Sequence, residues 1–105
     1  MDKVLSFLGI CKKAGKLVSG TELVLDSVRK NNSHLVIIAN DISKLGEKTI
    51  IKTLTHYNVE YVKYATKSEL GSALGYDERA VISVNDKGFA EALKKKITCG
   101  TERKV

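Results

Sequence analysis

The sequence predicts an α/β fold: a three-layer α/β/α sandwich around a mixed, largely parallel central sheet of about four strands. Three observations lead there. Short apolar runs at 35–39, 59–64 and 80–84 alternate with segments whose apolar residues recur at helical spacing. The first and last of these runs are nearly unbroken, as in strands covered on both faces. The chain has 105 residues, 43% of them hydrophobic, and no proline, which suits one domain with one core and no linker.

The elements follow in order. Val4, Leu5, Leu8 and Cys11 give residues 2–14 a helical stripe, with Lys12 and Lys13 in the last turn and Gly15 just past the end. Lys16-Leu17-Val18 is a short extended link. Ser19-Gly20-Thr21-Glu22 has the spacing of a capping box opening a second helix, with Leu23, Val24 and Val28 inward and Asn31-Asn32 as its stop. Strand 35–39 runs into the polar turn Asn40-Asp41. A third helix spans 44–57, with Leu45, Ile50, Ile51 and Leu54 inward and Asn58 as a left-handed stop. Strand 59–64 precedes a second capping box, Thr66-Lys67-Ser68-Glu69, and a short helix ended by Gly75. After the loop 76–79 and strand 80–84, Asn85 or Asp86 caps a last helix carrying Phe89, Ala92, Leu93 and Ile97, with Lys94-Lys95-Lys96 near its end. Residues 1–99 are expected to form a single domain and 100–105 a frayed tail.

Lys and Arg number 18 against 12 Asp and Glu, a net charge of +6 that favours polyanions: nucleic acid, or an anionic membrane surface. The excess sits in residues 1–33 and 86–105; the stretch between is neutral. No apolar run approaches a membrane span. The apolar stretch before Cys11 is too short, and Ile10 too large, for a lipoprotein export signal, so the expected location is the cytoplasm. Cys11 and Cys99 are far apart, with no CxxC and no clustered Cys/His, which supports neither a zinc site nor a redox pair. The sequence also lacks the phosphate-loop, dinucleotide, serine-hydrolase and zinc-protease motifs. The expectation is a binding protein without catalysis, cofactor, metal or small-molecule substrate.

One segment points to a partner. In Lys12-Lys13-Ala14-Gly15-Lys16-Leu17-Val18-Ser19-Gly20-Thr21-Glu22, three lysines lead to a helix start, whose free amides suit phosphate. Gly20 leaves room for close approach, and Glu22 is able to accept from a guanine edge. The capping box explains the same residues without a ligand, and both readings stand on physical grounds.

Lys13-Ala14-Gly15-Lys16-Leu17-Val18-Ser19-Gly20, Leu35-Val36-Ile37-Ile38-Ala39-Asn40-Asp41 and Lys67-Ser68-Glu69-Leu70-Gly71-Ser72-Ala73-Leu74-Gly75 resemble, in that order, segments of large-subunit ribosomal protein "L thirty". Together they are similar to the kink-turn-binding ribosomal protein family, over about residues 3–97. Among bacterial members the likeness is greatest to the YlxQ type. The resemblance implies the α/β/α sandwich. It also implies an RNA site made of Gly20, Thr21 and Glu22, then Asn40 and Asp41, then Arg79 and Ala80, with Lys13 and Lys16 on phosphate. The implied partners are structured RNA, foremost ribosomal RNA, and ribosomal proteins. The chain departs from the family pattern at Leu23, where an amide or acid is usual, and at Asp26, where lysine is usual. An acid is common where Asn40 stands. Those departures leave a second expectation, a protein-interaction adaptor on the same fold whose RNA site has decayed.

Overall fold

The computed structural model describes residues 3–102, and side chains for residues 3–97. Helix α1 (Lys3–Lys13) leads to strand β1 (Leu17–Ser19), then α2 (Thr21–Arg29), β2 (Leu35–Ile38), α3 (Lys44–His56), β3 (Tyr61–Lys63), α4 (Lys67–Leu74), β4 (Val81–Val84) and α5 (Lys87–Glu102). The four strands form one mixed sheet in the order β1-β4-β2-β3. Residues 103–105 of the expected tail lie outside the described residues.

Strands β1, β2 and β3 point the same way, each joined to the next by a helix. Only β4 is reversed, and it lies between β1 and β2. Two of the three hydrogen-bonded pairings are therefore antiparallel, and only β2–β3 is parallel. The sheet is mixed as expected, but not largely parallel in its pairings. Alternation of helix and strand fixes the direction of simple crossovers; it carries no information about where the last strand inserts.

Period-two alternation divides the core. Leu35, Ile37, Ala39, Ile82 and Val84 face α1, α4 and α5; Val36, Ile38 and Val81 face α2 and α3. These are the two outer layers of the sandwich. Phe7 and Phe89 meet edge to face at 5.6 Å where α1 packs on α5.

Local chemistry explains most boundaries. Thr66 and Glu69 form the capping box of α4, and Gly75 ends it in the left-handed region. Asn31 and Asn58 also take positive φ where α2 and α3 stop. Asp86, not Asn85, caps α5 by accepting from the Phe89 amide at 2.9 Å. The Asn85 side chain instead joins a polar cluster at one end of the sheet. Its Oδ1 lies 2.6 Å from the buried Ser83 hydroxyl, which lies 2.7 Å from that of Ser33; Asn85 Nδ2 donates to Ser27 Oγ at 3.1 Å. Ser83 has one hydroxyl proton, so it donates to Asn85 and accepts from Ser33.

Five expectations fail. Residues 17–19 are a strand rather than a bare link, because Leu17 and Ser19 pair with Val84 and Ile82. Ser19 consequently does not cap α2; the N-cap is Gly20, and no side chain caps it. Leu23 points outward, 58% exposed, and Leu25 and Ser27 join Val24 and Val28 in the buried face of α2. Leu45 is likewise 77% exposed, standing in the first turn of α3 while Ile50 and Leu54 carry that helix's core contact. The Lys94-Lys95-Lys96 run lies mid-helix in α5 rather than near its end.

Candidate nucleic-acid interface

The C-terminal ends of β1, β2 and β3 and the start of β4 meet at one edge of the sheet. Loops from four elements are tied together there by backbone hydrogen bonds. Gly20 N donates to Val81 O at 3.0 Å, Ala39 N to Ala80 O at 2.8 Å, Asn40 N to Ala65 O at 2.7 Å, and Arg79 N to Lys67 O at 3.0 Å. Gly20, Thr21, Glu22, Asn40, Asp41, Arg79 and Ala80 thus lie on one rim. Lys13 and Lys16 do not. Lys16 O accepts from Asn85 N at the opposite end of β1, about 13 Å along the strand from Gly20. Lys13 borders a recess with Gly9, Ala73, Leu74 and Gly75.

Three helices begin at this rim, and they differ. α3 is capped by Ser43, whose Oγ accepts from Gly46 N. α4 has its capping box, and Asp41 Oδ1 adds a bond from Lys67 N at 2.8 Å. Asp41 is therefore occupied in joining the β2–α3 turn to the start of α4, where a carboxylate suits the helix dipole. α2 alone of the three has no side-chain cap. Its first turn has no side-chain acceptor for its leading amides, and Thr21 and Glu22 beside them are exposed. Gly20 adopts φ 97° and ψ 143°, a region essentially reserved for glycine. A Cβ there would meet nothing within 4 Å. The glycine thus answers a backbone demand of the strand-to-helix corner, and a larger side chain there strains the fold, contrary to the tolerance a plain first turn would have.

Ser19 is freed from capping and accepts from Arg79 Nε at 2.9 Å. The guanidinium also donates to Glu78 O and lies 3.8 Å from the centre of the Tyr76 ring. Lys12 Nζ approaches the same ring at 4.2 Å and donates to Leu74 O at 2.6 Å. Tyr76 is 40% exposed, and Leu23 lines the same shallow recess. Two cations held over one ring beside an uncapped helix start form a surface able to take phosphate and a stacked base.

Residues 2–94 match the model of the Ribosomal protein L7Ae/L30e/S12e/Gadd45 family. The chain belongs to that family. Its relatives include the RNA-binding protein YlxQ of Bacillus subtilis, 35% identical over 82% of this chain and 86% of that protein. The large ribosomal subunit protein eL8 of Thermoplasma volcanium is 31% identical over 97% of this chain and 85% of its own length. Among solved structures, a protein of unknown function from Bacillus halodurans superposes with a TM-score of 0.88 at 32% identity, covering 93% of this chain and 99% of that one. The 15.5kD RNA binding protein of Giardia lamblia shares the fold, with a TM-score of 0.74 at 22% identity over 93% and 91% of the two chains.

For an L7Ae/L30e family member, sequence reading passes over Tyr76 and does not separate Lys12 from the other lysines before the start of α2. Lys12 stood in a run of lysines whose nearest neighbours look equivalent, and only the packing of α1 on α4 selects it. Tyr76 is one of four tyrosines, placed by the turn after Gly75. Among the described residues there is no group of three His, Cys, Asp or Glu able to hold a metal ion, and no helix long and apolar enough to cross a membrane.

Proposed function

We propose that this chain is a non-catalytic, cytoplasmic, ribosome-associated protein that docks a bent or internally looped RNA, of kink-turn type, on the rim at the strand ends. The observation that carries this reading is the convergence of the uncapped α2 start with the Arg79–Tyr76–Lys12 cluster. Relatives named as RNA-binding and ribosomal proteins supply the class of partner. Arg79 and Lys12 meet phosphate, and the α2 amides meet phosphate or a sugar edge. Glu22 and Asn40 read unstacked bases, with Thr21 and Ala80 lining the approach. Asp41 acts indirectly by bracing the loop that carries Asn40. Lys13 and Lys16, off the rim, reach only phosphates of an RNA that wraps past β1.

The test is titration of a kink-turn RNA and of a straight duplex of equal length at several salt concentrations. Wild type is expected to prefer the kinked RNA. Arg79→Ala should weaken it by ~1.5 kcal/mol, the scale of a charge-assisted hydrogen bond. It should also lower the slope of log affinity against log salt by about 0.7–0.9. Equal affinity for both RNAs, or an Arg79→Ala protein that binds like wild type, sinks the proposal. The exposed Leu23 favours a second reading, an adaptor that binds a protein through this recess; Leu23→Gln would then abolish capture of that protein and leave RNA affinity unaltered.

A further inference from the structure

The charge of α3 is hidden in the linear sequence, because residues 34–85 are neutral in sum. On the helix, Lys44, Lys48 and Lys52 recur every four residues, and all three are exposed. They form a crest on one face, each step rising about 6 Å. That step is comparable to the distance between successive phosphates of an RNA strand.

Lys48 and Lys52 border an open groove of about 790 Å³ together with Arg29 of α2, Leu45, His56 and Tyr57. Arg29, Lys48 and Lys52 make no ion pair among the described residues. The acids nearest in sequence are engaged elsewhere: Asp26 with Lys30 at 3.1 Å and Glu47 with Lys63 at 2.8 Å. Thr49 and Thr53 donate their hydroxyl protons to carbonyls of α3 itself, so the cations carry the polar recognition. At the far end, the exposed His56 and Tyr57 rings pack edge to face at 4.9 Å.

The position of this groove matters as much as its charge. α2 and α3 both start at the strand-end rim, cover the same face of the sheet, and run away from it. The groove therefore begins at Leu45, in the first turn of α3 where that helix leaves the rim, and extends along α3 to Tyr57, roughly 20 Å. We propose that it is a second RNA contact, a phosphate track that receives a stem flanking the RNA bent at the rim. The inference rests on the rim reading for its starting point. An acidic protein would also meet the charge, but continuity with the rim favours RNA.

The experiment uses two probes: a kink-turn hairpin with both stems cut short, and the same hairpin with one stem extended by two helical turns. Wild type, Lys48→Ala/Lys52→Ala and Arg79→Ala are titrated with each. The double variant should lose about ten-fold in affinity for the long-stem RNA at low salt, and its salt slope should fall by about 1.4–1.8, two phosphates' worth. Its affinity for the short RNA should be unchanged. Arg79→Ala should weaken both. If the double variant binds long and short RNA like wild type while Arg79→Ala fails on both, the rim stands and the track is overturned. If the double variant loses equally on both RNAs, the lysines act only as general charge and the track is again overturned. If Arg79→Ala has no effect and the double variant still loses only the long stem, the track stands and the rim reading fails. Unaltered RNA binding with loss of retention on polyglutamate would assign the groove to an acidic protein instead.

Discussion

Gly71 shows how one atom decides a fold. A Cβ at that position would come within 2.6 Å of Glu78 Cα, 2.7 Å of Glu78 N and 2.8 Å of the Asp77 carbonyl carbon. All three are backbone atoms, so no flexible side chain is available to give way. In an exposed helix, alanine would beat glycine by about 1 kcal/mol. Here the overlap reverses the sign: Gly71→Ala should destabilise by ~1–3 kcal/mol, the usual cost of overpacking, measured by urea denaturation. A more stable variant would show that the loop after Gly75 is free to move. The same loop carries Tyr76 and Arg79, so Gly71→Ala should also weaken RNA binding. Sequence alone cannot name what packs against this glycine, since Glu78 reaches it only after the chain has turned at Gly75. Gly20 teaches a related lesson. Its place at the opening of α2 is legible in sequence; its φ of 97° is not, because that angle follows from β1 pairing as far as Ser19.

At the scale of an element, α2 separates what a pattern reveals from what it hides. Its existence follows from Val24 and Val28, but its start hinged on whether Ser19 belongs to the helix or to the sheet. Pairing with Ile82 puts Ser19 in the sheet, and its freed hydroxyl accepts from Arg79, sixty residues away. The outer face then carries Leu23 and Asp26. Asp26 pairs with Lys30 at i,i+4 with both side chains more than half exposed, a contact worth at most a few tenths of a kcal/mol. Asp26→Lys should cost little stability. If RNA lies against this face, it should tighten a kink-turn RNA several-fold at low salt and less at high salt, because screening acts on exposed charges. Titration at two salt concentrations checks both signs, and no gain at low salt would move the RNA off α2. On α5, Lys94 is held between Glu60 and Glu91, whose carboxylates raise its pKa. Lys96 Nζ lies over the Phe7 ring, 5.2 Å from its centre, so a run that reads in sequence as three equal charges has three different surroundings.

For the whole molecule, stability should depend on pH through the core of α1. Cys11 is fully buried, and burial first, then the charge of Asp86, pushes its thiol up to about 11 from 9.0. The unfolded chain ionises its thiol at lower pH than the folded one does. The stabilising difference is therefore complete below pH 9 and is lost as pH rises towards 11. Melting temperature should fall more steeply across that window in wild type than in Cys11→Ala; parallel curves would mean the thiol is solvated. The same burial makes Cys11 inert to alkylation near neutral pH unless the chain unfolds. The layers and the helices were legible from periodicity because each face of the sheet demands its own apolar stripe. The strand order was not, since nothing local to residues 81–84 tells them to enter between β1 and β2. That insertion has a consequence for synthesis. Among the described strands β1 pairs with β4 alone, and β4 leaves the ribosome after the other three. A nascent chain that has emerged only as far as α4 holds β1 without its neighbour and β2 with one side open. The β2–β3 pair can form early, but the sheet closes only when β4 enters, so the chain stays open to chaperones and proteases until then.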